Sequence, residues 1–386
     1  MPIKFKSKIA CVALLLFGCN FVNAQEGAYS SYSPYSVFGM GDICRQGTVY
    51  NLSMGGTGIA SRNHRFINYL NPAAITARDT LSFMMDFGLV GEGKLYKQGD
   101  VKSASNLLNI SNVAFTVPIY KKSAFVAGIS PYSSMGYDFS HDITDPSLIG
   151  SVGNINYRSY GEGGVYQIFA GGAATFWNKL SVGAQFLYYF GNIDKSTIMN
   201  FSESSYRDVY SGYILNLNAI GGNFGVQYEQ ALPSGLSLTV GATYKTSSKL
   251  KGYVTDYKYA TVSSVTDTLK YKTDTLSHGS NVKLASEYGV GIALKKGDRW
   301  RAEFNYTRSD WRNSNLENVI GFANAGDAKF STTYSQSFRA GFEIVPNPND
   351  IRYYMRRCSY RAGAYYNRDY YKLDGKDVNS FGITLG

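Results

Sequence analysis

From Leu81 onward the chain alternates. Leu81, Phe83, Met85, Phe87 and Leu89 are interleaved with Ser82, Met84, Asp86, Gly88 and Val90. The same period of two runs through Leu180–Phe190, Leu236–Tyr244, Trp300–Tyr306 and Phe338–Ile344. A period of two puts successive side chains on opposite faces of a strand. About twelve strands follow from this pattern, near 81–97, 108–119, 122–140, 154–177, 178–193, 205–231, 235–258, 280–295, 298–313, 329–345, 354–371 and 376–386. Neither a helical heptad nor a strong internal repeat interrupts them.

Alternation alone leaves the apolar face undecided between a soluble core and lipid. In a sandwich that face points inward; in a membrane barrel it points outward. Two further features favour the barrel. The patterned runs are long, whereas strands average about 5–6 residues. Tight connections, "YKKS" at 120–123, "WNK" at 177–179, "LPSG" at 232–235 and "KKGDR" at 295–299, alternate with long ones near 141–153, 193–206, 259–279 and 313–328. Short turns on one side and long loops on the other are the layout of an outer-membrane barrel. The expected fold is therefore all-β, a transmembrane antiparallel β-barrel.

The N-terminal region reads differently. Lys4, Lys6 and Lys8 precede the apolar run Ile9–Phe17, and Val22-Asn23-Ala24 supplies small residues before Gln25. This is a secretory leader over 1–24, cut after Ala24. The alternative is lipidation at Cys19, after "LFG". Residues 25–80 lack alternation and form an N-terminal plug, leaving 81–386 as the barrel. The final run "NSFGITLG" stops inside an alternating strand. A barrel must close on itself in lipid, so the last strands are expected to lie beyond Gly386.

Composition agrees with strands. Tyr 33, Phe 22 and Gly 41 are high, and 17% of residues are charged. No apolar run after residue 24 approaches the ~20 residues of a spanning helix. The net charge of +10 falls to +7 when Lys4, Lys6 and Lys8 leave with the leader. This charge suits outer-membrane lipids or acidic partners; it is not clustered, which argues against nucleic acid. Cys44 and Cys358 remain, far apart, and are expected to stay unpaired.

The stretch "MGGTGIASRNHRFINYLNPAAIT", Met54–Thr76, opens like a phosphate loop. Ser61 stands where a third glycine belongs, and neither a preceding strand nor a Lys-Ser pair supports nucleotide binding. Pro72 fixes its own backbone and biases Asn71 to an extended form, which would re-aim the chain from plug to wall. Such a turn is either a plain corner or a part that moves with ligand. The stretch with the following "LSFMMDFGLV" resembles the plug and first strand of FadL-type outer-membrane transporters of long-chain fatty acids and aromatic hydrocarbons. "NVAFTVPIYKKSAFVAGISPYSSMGYDFS" is similar to that family's second and third strands. The resemblance spans most of residues 50–245 and carries the Asn71-Pro72-Ala73 turn and the plug glycines Gly55, Gly56 and Gly58. It implies 14 strands, a plugged lumen, and a kink in the third strand that opens the wall sideways. Pro131, with Gly128 nearby, is the candidate for that kink, since proline cannot donate to the ladder. The alternative is a bulge outside the bilayer.

His64, His141 and His278 lack metal-ligand spacing, and neither a G-x-S-x-G elbow nor a Ser/His/Asp set occurs. No catalysis, cofactor or metal is expected. Asp86, Glu303 and Glu343 alternate with Arg301, Arg339 and Arg361, and are expected to pair with each other and with water in the lumen. The resemblance implies passive transport of hydrophobic small molecules by a monomer. The second reading is a FadL-like barrel serving as a non-transport subunit of an outer-membrane secretion or assembly complex, because fold does not fix function. A third, a porin for polar solutes, would need an unplugged lumen.

Overall fold

The computed structural model describes residues 31–386 apart from 79–81, 121, 145, 148, 150–152, 204–205, 263–264, 277–280, 323 and 326–327. The leader with Cys19 and Ala24, Leu81 and His278 lie outside the described residues. Twelve strands follow one another in a curled antiparallel sheet: β1 Met84–Gln98, β2 Val101–Tyr120, β3 Ser123–Ile143, β4 Ile155–Phe176, β5 Leu180–Phe201, β6 Asp208–Leu232, β7 Leu236–Lys245, β8 Glu287–Lys296, β9 Trp300–Asp310, β10 Tyr334–Ile344, β11 Tyr360–Leu373 and β12 Lys376–Leu385. Each pairs with its neighbours in the chain.

The apolar phase faces outward. Met85, Phe87 and Leu89 are each more than half exposed, as are Phe186 and Val290. The polar phase is buried: Ser181, Gln185, Gln227, Glu303 and Asn305 are each below 5% exposure. A water-soluble sandwich has the reverse arrangement. Aromatic residues crowd the short-turn rim, where Tyr120 and Trp177 are 68% and 82% exposed. This is the girdle of a membrane barrel, and the short-turn side is the periplasmic one.

Four strand expectations need correction. The run 235–258 is not one strand. The wall strand ends at Lys245, and Lys251–Val262 forms a hairpin with Val265–Thr275 across the span expected to be a loop. The hairpin pairs with the upper half of the long β6, from Lys251↔Asn218 to Thr261↔Asp208. The polar stretch 245–251 breaks the alternation at this change of partner. The expected loop at 193–206 is mostly strand, because β5 stays paired to Phe201. The expected strand at 354–371 begins as a short helix, Tyr354–Arg357, and becomes strand at Tyr360. The run 329–345 divides at Thr333, whose N–H goes to the Tyr370 carbonyl at 2.8 Å.

The interior is filled at two levels. On the loop side, Trp311, Leu316, Val319 and Phe322 fold inward and pack with Phe38, Met40, Phe330 and Tyr370. Below them lies the N-terminal segment, 31–78.

Candidate functional site

The N-terminal segment holds its shape through asparagines. Asn51 lies in the helix Val49–Ser53; its Oδ1 accepts from the Thr48 N–H at 3.1 Å and its Nδ2 donates to the Thr57 carbonyl at 2.8 Å. Asn71 caps the 3-10 turn Pro72–Ala77, accepting from Ala73 N at 3.0 Å. Its Nδ2 donates to the Ile59 carbonyl at 2.7 Å. Short amide side chains that reach nearby backbone let an irregular chain satisfy its own polar groups. The Asn71-Pro72-Ala73 turn is fully buried, and it binds the segment to itself before redirecting it.

The wall meets this segment with glycines on its inward phase. A Cβ at Gly225 would lie 2.0 Å from Asn71 Oδ1, and one at Gly183 would lie 2.6 Å from the Pro72 carbonyl carbon. One at Gly241 would meet the Ile59 oxygen at 2.2 Å; one at Gly363 would meet Gly55 N at 2.2 Å. The contact is mutual, since a Cβ on Gly55, which holds φ +73°, would meet the Ala340 and Ala364 carbonyls. Gly56 also has positive φ, +83°. Gly58 does not; it is small because Leu70 and Asn51 press on it. Sequence reasoning found the segment's glycines and missed the wall's. They occupy the polar phase of the alternation, where a glycine looks the same whether it faces water or a packed segment.

Polar wall residues latch the same segment. Arg62 donates to Glu229 Oε2 (3.1 Å), Ser181 Oγ (2.8 Å), Gln227 Oε1 (3.1 Å) and Thr76 Oγ1 (3.2 Å). Arg301 donates to Tyr50 Oη at 2.5 Å and to the Arg62 carbonyl at 2.9 Å. Glu303 accepts from Ala60 N at 3.0 Å, and Arg339 donates to the Gly56 carbonyl at 3.1 Å. Tyr50 Oη donates to Glu343 Oε2 at 3.0 Å. Burial pushes the Tyr50 phenol up to about 12, partly opposed by Arg301, so it stays a donor at neutral pH. This corrects the expectation that the lumen charges pair with each other and with water. Glu343 and Arg361 do pair, at 3.0 Å, and Asp86 accepts from Asn112; Arg301, Glu303 and Arg339 instead bond the segment. A buried segment has unmet backbone groups, and the wall's charges are the partners in reach.

The wall opens at a seam between β2 and β3. Rungs between β2 and β3 stop at Val113↔Ile129. Beyond it β2 remains paired with β1 and β3 with β4. Gly128 lies just before the end of the β2–β3 ladder, opposite Ala114; Pro131 lies just past it. On its other side Pro131 opposes Tyr166, and the register shifts between Pro131 and Ser133. The free edge of β3 is covered from within. Asp42 and Ile43 pair with Ser134 and Ser133, Cys44 N donates to the Tyr132 carbonyl, and Ser33 N donates to the Gly136 carbonyl. Gln46 Nε2 reaches the Pro131 carbonyl at 2.7 Å, and Gln46 Oε1 accepts from Ser130 and Gln167. Gly136 makes room, since a Cβ there would overlap the Ser31 carbonyl.

On the loop side Lys195 fastens the cap. Its Nζ donates to the Val37 carbonyl at 2.6 Å and the Gly321 carbonyl at 2.5 Å, joining the segment to the inward loop. Cys44 and Cys358 are free thiols. His64 and His141 belong to none of these clusters. Apolar hollows of about 810 and 630 Å³ lie on the outward face, lined by residues such as Phe224, Tyr288, Phe304 and Phe342.

A family model described as BamG matches residues 6–386. No curated protein matches the sequence. Among solved structures, the toluene transporter TodX of Pseudomonas putida is similar at a TM-score of 0.51, with 15% identity over 89% of this chain and 89% of that one. The toluene transporter TbuX of Ralstonia pickettii is similar at 0.50, with 15% identity over 88% and 89%. At this identity the likeness speaks for the fold, that of bacterial outer-membrane β-barrels.

Proposed function

The chain belongs to the BamG family, and from that premise we propose that it is a barrel with a filled lumen serving as a non-transport subunit of an outer-membrane secretion or assembly complex. The observation that carries this reading is the latched lumen. Inward side chains from β5, β6, β9 and β10 spend their hydrogen bonds on the N-terminal segment, and the loop-side interior is packed with aromatic residues. Opening a path through the lumen would break many buried bonds, each at a cost of about 1–3 kcal/mol. In this reading the segment is a permanent plug and part of the core. Extraction in mild detergent followed by mass determination tests it. A particle holding other proteins in fixed ratio supports it; a lone barrel carrying a small apolar molecule opposes it.

The seam favours a second reading, passive transport of hydrophobic compounds, as in the toluene transporters of like fold. Cargo would leave sideways past Pro131, with Gly128 and Pro131 as the lateral gate. Only the two-residue pairing of Asp42–Ile43 and a few bonds from 33–46 would need to part, and the deeper latch would stay. Uptake of labelled toluene by cells expressing Pro131→Val tests this reading; uptake unchanged from wild type would sink it.

A further inference from the structure

On the periplasmic rim the connections at 177–179, 233–235 and 297–299 are tight, but the one between β10 and β11, 345–359, is long. It is also built. Asp350 Oδ1 accepts from Arg352 N at 2.9 Å and Tyr353 N at 2.8 Å, and its Oδ2 accepts from Arg356 at 3.2 Å. Asn347 N donates to the Arg356 carbonyl at 2.8 Å. Tyr360 Oη donates to the Met355 carbonyl at 2.9 Å. Tyr360 shares its phase with the outward Ala362 and Ala364, so this bond sets the short helix beneath the lipid-facing wall.

The loop's surface has two chemistries side by side. Ile351 is 97% exposed, Tyr354 70% and Met355 64%. Arg352 and Arg356 lie 5.3 and 4.8 Å from the Tyr353 ring centre, and Arg357 lies 5.6 Å from that of Tyr354. Asp350 is committed to Arg356 and the backbone. Among the described residues no carboxylate pairs with Arg352 or Arg357. The same rim exposes Lys122, Lys179, Lys296 and Arg299.

We propose that the loop 345–359 binds the anionic headgroup of a phospholipid in the periplasmic leaflet, with Arg352 and Arg357 on the phosphate and Ile351, Tyr354 and Met355 against the upper acyl chain. The apolar side chains continue the lipid-facing surface of β10 and β11, where Ile344 and Phe342 are also exposed. An acidic protein would answer the arginines but gives no reason for apolar groups at the acyl level. Guanidinium groups stacked on aromatic rings are pre-set for phosphate, and cations near a charged leaflet each contribute about 1 kcal/mol. The inference stands apart from both readings of the lumen.

The test uses the full chain in nanodiscs of phosphatidylcholine with and without phosphatidylglycerol, followed by gentle detergent release and native mass spectrometry. Wild type should retain phosphatidylglycerol over phosphatidylcholine. Arg352→Gln/Arg357→Gln, which leaves the Arg356–Asp350 bond intact, should weaken that preference about fivefold per arginine. Equal phosphatidylglycerol retention by variant and wild type would overturn the proposal. So would loss of a co-purifying protein with lipid retention unchanged, because the surface would then belong to a protein partner.

Discussion

The amide of Gln46 meets the carbonyl of Pro131 at 2.7 Å, just past the point where β2 and β3 part. A residue of the inner segment therefore closes a place where two neighbouring wall strands have separated. The same amide group accepts from Ser130 and Gln167, both buried. Gln46→Ala leaves these donors short of an acceptor, at about 1–3 kcal/mol. The native Cys44 reports on the seam, because it is half-buried beside it and burial raises its thiol to about 12, which slows its labelling at rest. Maleimide labelling of Cys44 is expected to speed up at least several-fold in the variant, read against Cys358→Ser to remove the second thiol.

The glycine sockets make a sharper prediction. Gly363→Ala puts a methyl group 2.2 Å from Gly55 N, where backbone faces backbone. Gly172→Ala, on the outward face, finds its nearest neighbour at 3.6 Å. The first change is expected to destabilise the barrel by about 1–3 kcal/mol or more, and the second to have little effect. Thermal unfolding followed on gels would compare them.

Arg62 is the busiest latch. Arg62→Ala removes its bonds to Glu229, Ser181, Gln227 and Thr76, while Glu229 keeps Lys295 at 2.7 Å. Breaking a buried pair outright costs about 3–5 kcal/mol, and the retained lysine places the expected loss near the lower end. Urea unfolding should show it, and Arg62→Lys should recover only part, since one ammonium cannot reach four acceptors.

High pH should loosen the segment. Burial raises the phenols of Tyr50 and Tyr69 from 10.0 to about 12, and the Cys44 thiol from 9.0 to about 12. Raised folded values mean the neutral forms are favoured by folding. Their contribution is complete below about pH 9 and is lost as pH rises toward 12, as the unfolded chain sheds these protons first. Cys44 labelling cannot separate this from thiol chemistry, so protease cleavage within 44–70, measured with a protease active across the range, is the check.

Much of this architecture was legible in the alternation. The twelve wall strands answer to the twelve predicted runs, because lipid on one side and a polar interior on the other impose a strict period of two. The hairpin at 251–275 escaped because its strands are rich in Lys, Thr and Asp and read as a polar loop, and the long β6 changes partner between Ala219 and Asn223 without any turn to mark it. Asn71 and Pro72 could be read as a turn because both residues carry their conformational bias locally. The sockets at Gly183, Gly225, Gly241 and Gly363 could not, since a glycine facing a lumen looks the same whether it meets water or a packed segment. Likewise Arg301 and Glu303 were visible as inward charges, but their partners, the backbone at Arg62 and Ala60, lie more than two hundred positions earlier.

The central claim is that the barrel works with its interior closed, and two disulfide locks test it. Thr76 Oγ1 and Ser181 Oγ are 3.2 Å apart, and Ile43 is paired with Ser133 at the seam. Thr76→Cys/Ser181→Cys and Ile43→Cys/Ser133→Cys, combined in a chain with Cys44→Ser and Cys358→Ser, would pin the segment to lumen wall and seam together. Native mass spectrometry of the oxidised protein from mild detergent, beside wild type, is the most direct measurement. The account predicts the same protein partners in the same ratio in both. A stoichiometric hydrophobic molecule on a solitary wild-type barrel, absent from the locked form, would contradict it and make the seam a route for cargo.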